Sequence, residues 1–271
     1  MATRNPEVEE KYKTQSTVAT DHDARLPKGF HPAAMPSEIK FSFVFPSRDR
    51  QDLLKKLIDS LIKNTSKINE IEVLIAVDND DMKTSDFLAA LNLSFVKIFH
   101  VARSLNFSRD YYTFLAKQSK GRWIITINDD CVCETPSWDT IAYEILKDKP
   151  SVIYGRIEDG LDGFRANGHG NYSCFPLQGR GGFEALGWIF PERIPVWGAD
   201  IHIRNLYLQV DSVVNIPIMF RHYSHHNKLR IQDDINKNVA KISAKSPFDM
   251  RPTYEEINKL IEAMKKEMVK V

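Results

Sequence analysis

Asp129 and Asp130 stand side by side after Asn128, at the end of a run (residues 122–127, RWIITI) of β-branched and aromatic residues. Such a run reads as a buried strand. Adjacent carboxylates repel, so a site that holds both usually needs a cation between or beside them. A hard divalent ion there would in turn bind a diphosphate; the ordinary alternative is a solvated turn. Three further groups have chemical potential. Pro46-Ser47-Arg48-Asp49-Arg50 follows a second apolar run and Asp78-Asn79-Asp80-Asp81 a third. Asn106-Phe107-Ser108-Arg109-Asp110 opens a helical pattern, where backbone N–H groups and Arg109 could meet an anion. Each has an ordinary reading too: Arg48 and Arg50 as surface charges, Asp78 as a turn cap, Arg109 as the partner of Asp110.

The elements that would position these groups follow from periodicity. FSFVF (41–45) is a strand, and residues 52–62 place Leu53, Leu54, Leu57, Ile58, Leu61 and Ile62 on one helical face. EVLIAV (72–77) is a second strand, followed by a short helix near 85–91 and a strand near 95–101. Residues 108–117 look helical, with Ser108 as N-cap. The 122–127 strand closes a βαβαβαβ series, which predicts an α/β fold with a mostly parallel sheet and right-handed crossovers. In such a sheet ligands bind at the carboxyl ends of the strands. The Pro46–Arg50 group, Asp78 and Asp129–Asp130 would then share one edge, which favours a nucleotide-diphosphate site.

Composition sets the outer bounds. The 271 residues suffice for one large domain. With 37 basic and 36 acidic residues the net charge is +1, which argues against a strongly basic nucleic-acid surface. No apolar run approaches the ~20 residues that span a bilayer. The first residues, MATRNPEVEEKYKTQ, lack the apolar stretch of a secretory signal. Cys131, Cys133 and Cys174 make no disulfide framework, so a soluble protein of the reducing cytoplasm is expected. Cys131 and Cys133 read as strand-end packing rather than soft-metal ligands. Residues 1–40 are polar and punctuated by prolines, which predicts a flexible arm.

The ordered set FVFPSRDRQDLLKKLIDSLIKN, EVLIAVDNDD and SLNFSRDYYTFLAKQSKGRWIITINDD resembles the nucleotide-binding half of GT-A-fold glycosyltransferases, the family 2-like group in particular. That group has a strand ending in Pro-x-x-x-Arg, a second ending in Val-Asp-Asp, an Asn-x-x-x-x-Arg-Asn-like element, and Gly-x-Tyr-Ile leading to an Asp-x-Asp motif. The resemblance spans about residues 41–135 and implies a Rossmann-like, single catalytic GT-A domain. Residues 41–135 would be its nucleotide-sugar half, 136–230 its acceptor half and 231–271 a helical extension. It implies a metal-dependent transfer of a hexosyl or pentosyl group from a nucleotide-diphosphate sugar to a hydroxyl. Pro46, Ser47, Arg48 and Asp78 would hold the base, favouring uridine, with Asn106 and Arg109 near the base or phosphates. Asp130 would be the chief metal ligand and Asp129 would face the ribose or the ion. Two departures stand out. Asn128 occupies the first Asp-x-Asp position, where its amide oxygen could still meet ribose, and VDNDD replaces the commoner Val-Asp-Asp-Gly-Ser.

The second half must supply the acceptor side. By the same resemblance Asp200, opening a helix over 200–208 after an aromatic-rich segment, is the general base of an inverting reaction, ahead of Glu192 and Glu184. An Asp at a helix start is otherwise most often a cap. Gly179-Arg180-Gly181-Gly182-Phe183 reads as a flexible loop, able to close over the sugar or simply to turn. His222, His225 and His226 follow a strand over 215–221. A histidine here completes the metal site in many GT-A enzymes: His222 first, His225 second, with manganese favoured over magnesium. Arg221 or Lys228 could neutralise the leaving diphosphate. The tail from residue 253 is amphipathic, which suits packing on the domain, a subunit contact or weak membrane-surface attachment. The acceptor stays open among a glycan, a lipid-linked glycan, a protein and a hydroxylated DNA base of the phage type. The alternatives to this function are a related nucleotidyltransferase and a non-catalytic nucleotide- or glycan-binding module.

Overall fold

A computed structural model describes residues 38–161, 172–224 and 249–269. Strand β1 (Phe41–Ser47) is followed by α1 (Gln51–Asn64), and β2 (Ile71–Asp78) by α2 (Met82–Leu91). Next come β3 (Val96–Val101) and α3, whose wide π-helical opening (Ser108–Thr113) runs into Phe114–Gln118. The chain continues through β4 (Trp123–Thr126), β5 (Cys131–Cys133), α4 (Trp138–Leu146), β6 (Tyr154–Glu158), β7 (Leu177–Gly179) and α5 (Arg180–Leu186). It ends with α6 (Ala199–Leu208), β8 (Val213–His222) and α7 (Tyr254–Met268).

The eight strands form one sheet in the order β3-β2-β1-β4-β7-β6-β8-β5. β1, β2, β3 and β4 pair in parallel, as the alternating series requires, and β6 pairs in parallel with β8. β7 runs against both β4 and β6, and β5 against β8. All eight residues of β2 are buried, as expected of a strand covered on both faces. One core packs α1 and α4 on one face through Leu54, Leu57, Trp138 and Leu146. The other face carries α3, α5, α6 and α7 through Leu115, Phe183, Ile203 and Leu260.

Following these directions, β1, β2, β4, β6 and β8 all end at the same edge. α3 and α6 each lead into a strand that starts at the opposite edge, so their N-termini also stand at the carboxyl edge. Register confirms the meeting point: Cys131, opening β5, lies opposite His222, closing β8.

Two sequence expectations, the 179–183 loop and the Ser108 cap, are corrected here, and the ordinary reading of Asp200 as a cap is set aside. Residues 179–183 are not a loop over the site: Gly179 closes β7 opposite Trp123 at the start of β4, and α5 follows at the amino edge. Two close approaches explain the glycines, since a Cβ on Gly179 would lie 2.0 Å from the Ser151 carbonyl oxygen and one on Gly182 1.8 Å from the Tyr207 hydroxyl. Ser108 is not an N-cap, because Phe107 is already helical and the Ser108 hydroxyl donates to the Ile194 carbonyl at 2.5 Å. Asp200 is not a cap either; Gly198 takes that place and Asp200 lies in the first turn of α6. At the N-terminal boundary, Ile39 is already buried and Lys40 N–H donates to the Glu70 carbonyl at 2.8 Å. The rest of the expected arm, residues 1–37, lies outside the described residues.

Candidate active site

The carboxyl edge is built from the ends of β1, β2, β4 and β8 and the openings of α3 and α6. Asp78, closing β2, is buried and doubly held: Tyr111 Oη donates to Oδ1 at 2.6 Å and Arg48 Nη1 to Oδ2 at 3.0 Å. Arg48 is gripped in turn by Asp80, with Nη2 donating to Oδ2 at 3.0 Å, and these two carboxylates hold its guanidinium above its usual range. Asp81 caps α2 by accepting from Thr84 N–H and also receives Asp49 N–H at 2.8 Å, which fixes the turn after β1. VDNDD is thus a divided set: Asp78 faces the site, Asp80 steers Arg48, and Asp81 ties two loops together.

Asp129 is buried between Ser47 Oγ, which donates to it at 2.9 Å, and Arg50 Nη1, which donates at 2.8 Å. Burial and the charge of Asp130 push its pKa up, against the opposing pull of Arg50 and Ser47. This partnership turns Asp129 toward β1. Asp130 instead meets the last residue of β8: its Oδ1 lies 3.2 Å from His222 Nε2. The strands are pinned at this point by Tyr223 N–H donating to the Asp130 carbonyl at 2.7 Å. Asn128 accepts from Tyr112 Oη at 2.7 Å.

The Asp130–His222 pair suits a divalent ion. A carboxylate oxygen and an imidazole nitrogen are a donor set that manganese accepts readily. Asp130 Oδ1 and His222 Nε2 lie 3.2 Å apart, close enough for both to meet one ion. No cluster of three or more such ligands occurs among the described residues. His225, the second histidine candidate, lies outside the described residues, as do His226 and Lys228. Arg221 pairs with Glu134 at 2.6 and 2.8 Å rather than standing free for a phosphate.

The loop between α5 and α6 borders the same edge. Asn106 Nδ2 donates to the Glu192 carbonyl at 3.0 Å, and Arg109 Nη1 to the Glu192 carboxylate at 2.5 Å. Arg109 also pairs with Asp110 at 2.6 Å, and both carboxylates raise its pKa, that of Asp110 first. Glu192 is therefore engaged as an ion-pair partner, and Glu184 lies in α5, away from this edge. Asp200 remains. Its charge is felt by Tyr112, which also feels those of Asp129 and Asp130, and by Tyr154.

Sequence reasoning named Asp78, Asn128, Asp129, Asp130, Asp200 and His222, and the fold gathers them at one edge. Pro46 and Ser47 close β1 beside them, with Ser47 serving Asp129 rather than an open pocket. Tyr111 and Tyr112 were missed. Their signal was faint: two aromatics directly after Arg109-Asp110, where a helix would ordinarily bury only one.

The comparisons agree with this architecture. A family model described as glycosyl transferase family 2 matches residues 42–197, more than half of the chain. No curated protein matches the sequence significantly. Among solved structures, the mannosyltransferase PcManGT from Pyrobaculum calidifontis, in complex with GDP-Man and Mn2+, aligns over 97% of this chain and 82% of its own, with TM-score 0.56 and 10% identity. TarS 1-349 from S. aureus, in complex with UDP, aligns over 84% and 82%, with TM-score 0.53 and 13% identity. The same protein with UDP-GlcNAc gives TM-score 0.52 at 12% identity, over 83% and 72%. At such identities the likeness concerns the fold, and that fold is GT-A.

Proposed function

We propose that this chain, which belongs to glycosyl transferase family 2, moves a hexosyl or pentosyl group from a uridine-diphosphate donor to an acceptor hydroxyl with inversion. The observation that carries the reading is the buried Asp130 carboxylate, 3.2 Å from the imidazole of His222, on the sheet edge that also presents Asp78. Neighbours solved with UDP, UDP-GlcNAc, or GDP-Man and Mn2+ support a nucleotide-sugar donor and a divalent ion.

In this reading Asp78 accepts an N–H from the base, and Tyr111 and Arg48 keep its carboxylate in place. Asp130 and His222 would hold the divalent ion, Mn2+ by preference, which supplies positive charge against the departing diphosphate. Arg109 exchanges Glu192 for a phosphate oxygen when the donor enters. Asp200 takes the proton of the acceptor hydroxyl as its oxygen bonds to the anomeric carbon and the bond to the diphosphate breaks. Asp129, neutralised by Arg50, shapes the site and does not ligate. Cys131, Cys133 and Cys174 form no disulfide among the described residues, which fits a reducing compartment such as the cytoplasm.

A hydrolysis assay across UDP- and GDP-linked sugars, with Mn2+ and with a chelator, tests the donor half of this reading. Metal-dependent release of the nucleoside diphosphate is expected, and its absence with every donor would contradict it.

A further inference from the structure

Asn128 is the one partly exposed member of Asn128-Asp129-Asp130; both aspartates and the preceding Ile127 are buried. Its side-chain oxygen lies 2.7 Å from Tyr112 Oη, and the same hydroxyl lies 3.1 Å from the Ile127 carbonyl oxygen. A phenol has a single proton, and the shorter contact claims it. The Tyr112 ring is itself seated, edge-on to Phe190 with centroids 5.3 Å apart. Burial, followed by the charges of Asp129, Asp130 and Asp200, holds the phenol far above its ordinary pKa, so it remains a donor at any working pH.

A carboxylate at position 128 would only accept hydrogen bonds and would add a third negative charge to three consecutive residues. An amide whose oxygen is held by the phenol is oriented by it, with its NH2 group, a pair of N–H donors, turned away from Tyr112. We infer that Tyr112 is a positioning residue, which by binding Asn128 Oδ1 commits the Asn128 amide to donate to an oxygen of the nucleotide. The inference rests on the donor reading above and reverses the sequence expectation, in which the amide oxygen itself met the ribose. The receiving oxygen belongs to a ribose hydroxyl or a phosphate.

The test is a double-variant cycle read by calorimetric titration of uridine diphosphate and guanosine diphosphate in the presence of Mn2+. Tyr112→Phe keeps the ring and its contact with Phe190 and removes only the hydroxyl. Tyr112→Phe and Asn128→Ala should each weaken binding about five- to tenfold, the scale of one hydrogen bond. The double variant should bind no more weakly than Asn128→Ala alone, because Tyr112 acts through Asn128. Unchanged binding by Tyr112→Phe, or losses that multiply in the double variant, overturns the inference. Repeating the titration with 2′,3′-dideoxyuridine diphosphate locates the partner: a penalty that vanishes assigns the ribose, and one that persists assigns a phosphate. A wild type that binds neither nucleotide removes the donor reading and this inference with it, a result distinct from a wild type that binds and a Tyr112→Phe variant that matches it.

Discussion

At the scale of residues, the two carboxylates Asp130 and Asp200 have separable duties, and substitution should separate them. Asp130→Ala removes half of the Asp130–His222 pair, so metal-dependent nucleotide binding should be lost in a calorimetric titration. Asp200→Asn should leave nucleotide affinity within about twofold and reduce turnover by about 10²- to 10⁴-fold, the range of a general base. Equal and mild effects of both would contradict the division. Arg50 carries a different kind of prediction. It donates to buried Asp129 at 2.8 Å, and Arg50→Met would leave that charge uncompensated, a loss of about 3 kcal/mol in denaturant unfolding. The sequence showed the members of these pairs more readily than the pairing. Asp78 and Asp130 are visible because each ends an apolar run. Their partners lie far along the chain: Tyr111 is 33 residues from Asp78, and Arg50 is 79 from Asp129. Only the parallel sheet folds those distances to zero.

At the scale of elements, the first half was legible throughout, whereas in the second only the helix near 200–208, the strand near 215–221 and the tail helix were, for a physical reason. Buried parallel strands are continuous apolar runs, and β1, β2 and β4 announce themselves with helices of clear period between them. β7 and β5 have three residues each, too short for any period, and both run against their neighbours. Glycines in 179–182 suggested a mobile loop, whereas they permit close contact at the amino edge. Gly179→Ala tests this, since its Cβ would meet a backbone oxygen at 2.0 Å, and backbone cannot rotate away. A loss of about 3 kcal/mol or failure to fold is expected. An alanine variant with wild-type stability and impaired sugar transfer would restore the loop reading.

At the scale of the whole molecule, α7 closes the domain rather than reaching out from it. Leu260 is fully buried and Ile257, Ala263 and Met264 pack on the same core, while Met268 stays 77% exposed. The expected apolar face is therefore largely spent within the chain, and no helix among the described residues is long and apolar enough to cross a membrane. α7 starts with a capping box between Thr253 and Glu256. Glu256 also receives Arg193 at 2.6 Å, from the loop that leads to Asp200. Burial works to raise the Glu256 pKa, but His202, Arg193 and Thr253 N–H outweigh it and hold the carboxyl at about 2, below its ordinary 4.5. A depressed carboxylate pKa stabilises the fold fully above the ordinary value and loses that contribution as pH falls from 4.5 toward 2. Acid unfolding should therefore steepen in that window, and Glu256→Gln should be less stable at neutral pH with a flatter acid limb. Parallel limbs in the two proteins would contradict the assignment. The central claim, that one sheet edge binds a nucleoside diphosphate with a divalent ion on Asp130 and His222, has a direct test. Uridine diphosphate titrated into the protein with Mn2+, and again with a chelator, should bind only in the first case, and no longer in Asp130→Ala. Binding to none of the uridine, guanosine, thymidine or cytidine diphosphates under either condition would contradict it.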